Sequence, residues 1–243
     1  MVRTAHFQSI FRIAYGLYAW IVLLAVTVPV AIGLLVTPGL SRRRRIAKSG
    51  ASAVFRLIGS RVHLHGDSRL LEENPLVVAN HSSYLDGIIL TAALPPQYTF
   101  LIKHEMKAVP IAGFVLTRLG SEFVNRSDRS KRHQSARRLI DGALTGNAIA
   151  IFPEGTFDAK PGLKPFHPGA LRIAYRADRT VIPVAITGAR AKLPADAWLP
   201  RPGSLSVRLC EPVPAGSVAS LDELTEAARR HMLNHLDEPD LDA

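Results

Sequence analysis

Pro75-Leu-Val-Val-Ala-Asn-His-Ser-Ser-Tyr-Leu-Asp-Gly87 runs from a short apolar stretch into a polar turn and on toward a second apolar stretch, Ile88–Ala93. Leu76–Ala79 suits a strand buried on both faces, and Leu85–Ala93 suits a helix. The alternation recurs in both directions. Strand-like runs at Arg61–His65, Tyr98–Ile102, Ser121–Val124, Ala148–Phe152, Val181–Ile186 and Ser204–Leu209 are separated by helical stretches. Those helices are predicted at Ile46–Ile58, Ile111–Leu119, Arg129–Leu144, Ala170–Arg176 and Leu221–Leu236, the last with Ser220 as N-cap and Glu223 completing a capping box. Such a pattern predicts an α/β fold, a central mostly parallel sheet of about seven strands flanked by helices. In sheets of this kind ligands bind beyond the carboxyl ends of the strands, which is where residues 80–87 fall.

The chain has 243 residues, room for one such domain plus an appendage. Thirty Lys and Arg against 20 Asp and Glu leave a net charge of +10, which calls for a polyanionic partner, nucleic acid or an anionic membrane surface. The single cysteine, Cys210, excludes a disulfide framework within the chain and a cysteine-based metal cluster, and no metal site is expected. The amino terminus decides between the two partners. Ile13 to Val36 carries no charge, and as a helix it would reach roughly 36 Å at about 1.5 Å per residue, enough for the hydrocarbon core. Tyr15, Tyr18 and Trp20 stand near one end as interfacial anchors do, and Arg42–Arg45 and Lys48 follow the other end. A cleaved signal would have to be exported past that arginine run, and a buried core helix would not be apolar all round. Residues 1–40 are therefore expected to anchor the chain in a membrane, spanning it or turning back within it at Pro29 and Gly33, with residues 41–243 as the α/β domain. The positive-inside rule then places that domain on the cytoplasmic face of the inner membrane, with lipid and not nucleic acid as the partner.

Four strand ends carry polar constellations. In the first, Asn80–Gly87 follows the strand Leu76–Ala79, so His81 sits at its carboxyl end and Asp86 in or near the first turn of the next helix, where the carboxylate can curl back to one ring nitrogen and leave the other free as a base. The bland alternative is that Asn80, Ser82 and Ser83 merely cap a helix. The spacing is cheap: His235 and Asp240 repeat it in the polar carboxyl end, where no strand precedes them. In the second, Phe152-Pro-Glu-Gly-Thr156 ends a strand in a forced turn where Gly155 allows close backbone approach and Glu154 and Thr156 offer polar contacts. In the third, Phe123-Val-Asn-Arg126 places an arginine suited to bidentate phosphate binding at another strand end. The fourth, Val181-Ile-Pro-Val184, says only that a strand is buried. Lys103, after the strand ending at Ile102, adds a positive group near the same edge.

No one block is specific, but their order is. Together they resemble the glycerolipid acyltransferase family, best known from the 1-acyl-sn-glycerol-3-phosphate acyltransferases, with His81 to Asp86, Phe123 to Arg126, Phe152 to Thr156 and Val181 to Val184 on its four motifs, over about Leu64 to Pro212. The resemblance implies transfer of a fatty acyl group from acyl-CoA or acyl-carrier protein to the free hydroxyl of 1-acyl-sn-glycerol-3-phosphate, forming phosphatidic acid. No cofactor beyond the donor is expected. His81 would serve as base, steered by Asp86. Arg126, Glu154, Gly155 and Thr156 would hold the acceptor headgroup, and Lys103 is a candidate oxyanion donor. Two positions depart from the family. Asn125 stands for its usual Asp, and Phe157 for the Arg of phosphatidate-forming members, which keeps a different acceptor open, a lyso-ornithine lipid or another lysophospholipid. A tethered binding module for anionic lipid or nucleic acid would not need the ordered blocks, and a hydrolase would need only water as acceptor. A covalent acyl-enzyme lacks its Gly-x-Ser-x-Gly elbow, and Cys210 is expected to pack in the core.

Overall fold

The structure, a computed structural model, describes residues 2–124, 141, 142, 144, 146–167 and 169–242, and the side chains of residues 2–9 are excepted. All seven expected strands form: β1 (Val62–His65), β2 (Leu76–Ala79), β3 (Thr99–Lys103), β4 (Glu122–Val124), β5 (Ile149–Ile151), β6 (Val181–Thr187) and β7 (Leu205–Leu209). The described helices are α1 (Val2–Val36), α2 (Leu40–Leu57), α3 (Asp86–Ala93), α4 (Ala112–Arg118), α5 (Arg172–Arg176), α6 (Ala189–Lys192) and α7 (Leu221–Leu233). Ser220 Oγ accepts the Glu223 N–H at 3.1 Å, and Glu223 reaches back to the Ala219 N–H at 2.8 Å, the expected helix start. The helix expected at Arg129–Leu144 lies largely outside the described residues.

The strands form one sheet in the order β1-β7-β6-β2-β5-β3-β4. Neighbours are parallel except β6 and β7. Five strands therefore end on one edge, and β1 and β7 run the other way. Alternation along β2 shows how the sheet is filled on both sides. Val77 and Ala79 pack with Phe55 of α2 and Ile89 and Leu90 of α3, whereas Leu76 and Val78 pack with Leu171, Ala174 of α5 and Leu224, Met232 of α7.

Helix α1 is continuous through Pro29 and folds against the domain between Tyr15 and Leu35. Ala19 and Val22 are buried in the sheet's core, and a Cβ at Gly50 of α2 would come within 2.4 Å of Val30, so only glycine lets the two helices approach this closely. Arg118 donates to the carbonyls of Leu34 and Leu35, satisfying the end of α1. The opposite face carries Ile10, Ile13, Leu17, Ile21, Leu24, Val28, Ile32 and Leu35, all exposed and spaced as one helical stripe. Tyr15 and Tyr18, read as interfacial anchors, instead turn their hydroxyls to the carbonyls of Ile58 and Leu57 at 3.0 Å each, where α2 ends.

Helix α2 starts at Leu40, earlier than expected, and takes the arginine run into its first turns. The cause is tertiary. Arg44 donates to the carbonyls of Leu119 and Gln97 and to Thr99 Oγ1. Lys48 Nζ donates to the carbonyls of Ala92, Ala93 and Leu94 at 3.0, 3.1 and 2.6 Å, capping the carboxyl end of α3. Part of the basic run is thus internal bracing.

Candidate active site

The turn after β2 lies on the edge where the five parallel strands end. Asn80 clamps it to β6, donating to the Ile186 carbonyl at 3.0 Å and accepting the Ile186 N–H at 2.7 Å. Ser83 Oγ ties the far side of the turn to the Leu193 carbonyl at 2.7 Å. Inside this frame Asp86 is fully buried in the first turn of α3. Its Oδ2 accepts the N–H groups of Ser82 at 2.6 Å and Ser83 at 2.8 Å and lies 2.9 Å from His81 Nδ1. An ionised carboxylate only accepts, so the Nδ1 proton points at Asp86 and Nε2 carries the lone pair. The His81 side chain is 20% exposed, reachable from outside without being loose.

The turn after β5 completes the site, since β5 is the direct neighbour of β2. Gly155, at φ 70, supplies the left-handed step that returns the chain. Glu154, expected among headgroup contacts, is 4% exposed and faces the protein's own backbone. Its Oε1 accepts the His81 N–H at 2.6 Å and its Oε2 the Lys164 N–H at 2.9 Å. Burial pushes this carboxyl up to about 7 against the pull of those two N–H groups, with Asp86 and Glu238 adding to the rise. Thr156 is exposed beside it.

Two aromatic rings hold the imidazole. Phe152 stacks on His81 with centroids 4.4 Å apart, and Phe157 meets it at 4.4 Å on a tilt. Tyr84 closes edge-on against Phe157 at 4.8 Å and is itself 66% exposed. In the sequence Phe157 stands out only as a departure from the family pattern, and its packing on His81 has no local signal. Lys103 is exposed at the end of β3, on the same edge but with β5 between it and β2. Arg126 lies outside the described residues, as does Asn125. Cys210 is buried, and burial pushes its thiol up to about 11, so it is no nucleophile at neutral pH. A cavity of about 360 Å³ lies away from His81, lined by Ser52, Arg56, Arg61, Val62 and Ala92.

An oriented imidazole with a free nitrogen, at an open sheet edge, can take a proton from an incoming hydroxyl. Comparison with known proteins identifies the family. The family pattern described as Acyltransferase matches residues 61–187, from the start of β1 to the end of β6. The chain is 31% identical over 232 residues to the lyso-ornithine lipid O-acyltransferase of Pseudomonas aeruginosa, covering 88% of this chain and 85% of that one. It is 25% identical over 187 residues to a 1-acyl-sn-glycerol-3-phosphate acyltransferase of Saccharomyces cerevisiae, spanning 75% of this chain and 62% of the yeast protein. The crystal structure of the 1-acyl-sn-glycerophosphate acyltransferase of Thermotoga maritima shares the fold, with a TM-score of 0.78 over 93% of this chain and 95% of that one at 22% identity. This chain belongs to the acyltransferase family.

Proposed function

We propose that the protein transfers a fatty acyl group from a thioester, acyl-CoA or acyl-carrier protein, to the free hydroxyl of a lysolipid at a membrane surface. The observation that carries the reading is His81 Nδ1 held 2.9 Å from Asp86 with Nε2 left free at the strand-end edge. As the lysolipid oxygen attacks the thioester carbonyl, His81 Nε2 takes its proton. The tetrahedral intermediate collapses by breaking the carbon–sulfur bond, and the imidazolium returns the proton to the departing thiolate. A thiol with a pKa of roughly 8.5 leaves readily, so no stronger acid is needed. Glu154 acts through position: it ties the His81 backbone to the turn after β5 and fixes where the base stands. Lys103 ends β3 on the same edge and is a candidate to face the oxyanion or a phosphate.

The acceptor in the first reading is 1-acyl-sn-glycerol-3-phosphate, giving phosphatidic acid, as the names of several relatives suggest. A specific observation favours a second reading, a lyso-ornithine lipid. Phe157 packs its ring on His81 where an arginine would serve a phosphomonoester, and the relative bearing that other name is matched over most of both chains. The exposed stripe of α1 suits burial in the acyl region of one leaflet, on the cytoplasmic face of the inner membrane. That would bring the strand ends to a substrate that stays in the bilayer.

The test offers purified protein a thioester donor with lysophosphatidate, lyso-ornithine lipid, lysophosphatidylethanolamine or no acceptor. Thiol release that requires one of the lysolipids supports the reading. Equal release with no acceptor would make the protein a thioesterase instead.

A further inference from the structure

The loop joining α6 to β7, residues 193–204, is held more firmly than a connection requires. Lys192 at its base is fully buried. Its Nζ donates to the Arg201 carbonyl at 2.9 Å, and the Arg201 N–H donates to the Lys192 carbonyl at 2.8 Å, which closes the loop on itself. The same Nζ donates to Tyr15 Oη at 3.0 Å and stands 5.3 Å from that ring, binding the base to α1. Pro194, Pro200 and Pro202 stiffen the path between. Leu199 packs so closely on α1 that a Cβ at Gly16 would come within 2.9 Å of it, and Trp20 Nε1 donates to the Trp198 carbonyl at 2.7 Å.

These contacts hold the loop's backbone, its base and Leu199, and they leave the Trp198 side chain 69% exposed. An indole standing out from a rigid loop beside α1 is poorly explained by the fold of the domain alone. Its neighbours explain it better. The loop meets α1 between Gly16 and Trp20, the segment whose outer face offers Leu17 and Ile21 in the exposed stripe. We propose that Trp198 enters the interfacial layer of the bilayer beside α1, so that the catalytic domain grips the lipid surface directly. This rests on the membrane reading of α1 given above. Asp196 and Arg201, on the same loop, hold it at headgroup level and keep the indole at the interface, where amphipathic rings reside.

A second contact has a geometric consequence. One helix lying in a leaflet can roll about its axis, whereas a helix and an indole off that axis cannot. The roll angle sets the height of the strand ends above the membrane. The loop is also joined to the site, because the Leu193 carbonyl that begins it accepts Ser83 Oγ from the His81 turn.

Trp20 and Trp198 are the two tryptophans of the chain, so Trp20→Phe leaves Trp198 as the sole indole emitter. Full-length protein carrying that change is mixed with phosphatidylethanolamine–phosphatidylglycerol vesicles whose acyl chains are brominated or plain. Trp198 emission is expected to shift to the blue on plain vesicles and to be quenched on brominated ones. Protein that sediments with vesicles while its emission stays unchanged would overturn the proposal and leave the α1 reading intact. Failure to sediment at all would remove both. Because Trp20→Phe deletes one bond to the loop, Trp198→Ala supplies an independent readout in the otherwise native chain: vesicle partition about tenfold weaker is expected. Partition equal to that of the native protein would contradict the proposal.

Discussion

The backbone N–H of His81 donates to the Glu154 carboxylate at 2.6 Å, so the turns after β2 and β5 are locked to each other by a single side chain. Glu154 Oε2 extends the lock to the Lys164 N–H at 2.9 Å. A carboxylate can serve two donors at once, and an amide cannot: one end of a glutamine would set an NH2 group against a backbone N–H. At pH 8, above the value of about 7 to which burial raises the carboxyl, Glu154→Gln is expected to lower stability by about 1–3 kcal/mol in denaturant titration, and to reduce kcat by displacing the base. An unchanged unfolding midpoint would show that the two N–H bonds contribute nothing.

The same residue sets a pH dependence. Burial raises the folded-state value from 4.5 to about 7. The folded protein therefore holds a proton that the unfolded chain has released, and stability contributed by Glu154 is fully present below about 4.5 and lost as the pH rises through about 7. Unfolding midpoints measured from pH 5 to 8 are expected to fall in the native protein and to lose this slope in Glu154→Gln. Parallel slopes in the two proteins would assign the effect to another group.

Asp86 orients the base and supports the turn together, since its Oδ2 takes the Ser82 and Ser83 N–H groups as well as facing Nδ1. In Asp86→Asn the amide can present a donor to Nδ1, which moves the ring proton to Nε2 and removes the base. Transfer is expected to fall by about 10²–10⁴-fold. Activity within a few-fold of native would mean that the tautomer is not set by this carboxylate.

Phe157 gives a test of acceptor choice. Its ring sits 4.4 Å from the His81 ring, so Phe157→Arg would place a guanidinium beside the base. The ratio of kcat/KM for lysophosphatidate over lyso-ornithine lipid is expected to rise about tenfold, through charge-assisted bonding to the phosphomonoester. A ratio unmoved by the change would take Phe157 out of headgroup selection.

Lys48 carries three carbonyls at the end of the helix that bears Asp86. Lys48→Met keeps much of the stem and loses the donors, and is expected to cost about 1–3 kcal/mol of stability, read by the urea midpoint. No change would show that water replaces the ammonium without loss.

Much of this was legible because burial imposes local patterns. Continuous apolar runs such as Leu76–Ala79 and Val181–Ile186 suit strands covered on both faces, and His81 sits just past the carboxyl end of the first. What stayed illegible depends on partners distant in sequence. The reversal of β1 and β7 comes from pairing between Val184 and Leu209, which no local pattern encodes. Helix α2 reaches back to Leu40 because Arg44 finds carbonyls near Leu119 and Gln97. Glu154 looked like a ligand-facing residue because Pro153 and Gly155 announce an exposed turn, yet the turn directs its carboxylate inward. Phe157 lies five residues beyond Phe152, and only the closed turn brings both rings to one imidazole.

The central claim is that His81 is the base, and the most direct measurement is single-turnover thiol release from acyl-CoA in the presence of a saturating lysolipid acceptor, comparing native protein with His81→Ala. The imidazole is partly exposed at a turn, so the variant is expected to fold. Its release rate is expected to drop by about 10²–10⁴-fold. A variant that is folded and releases thiol at the native rate would contradict the account.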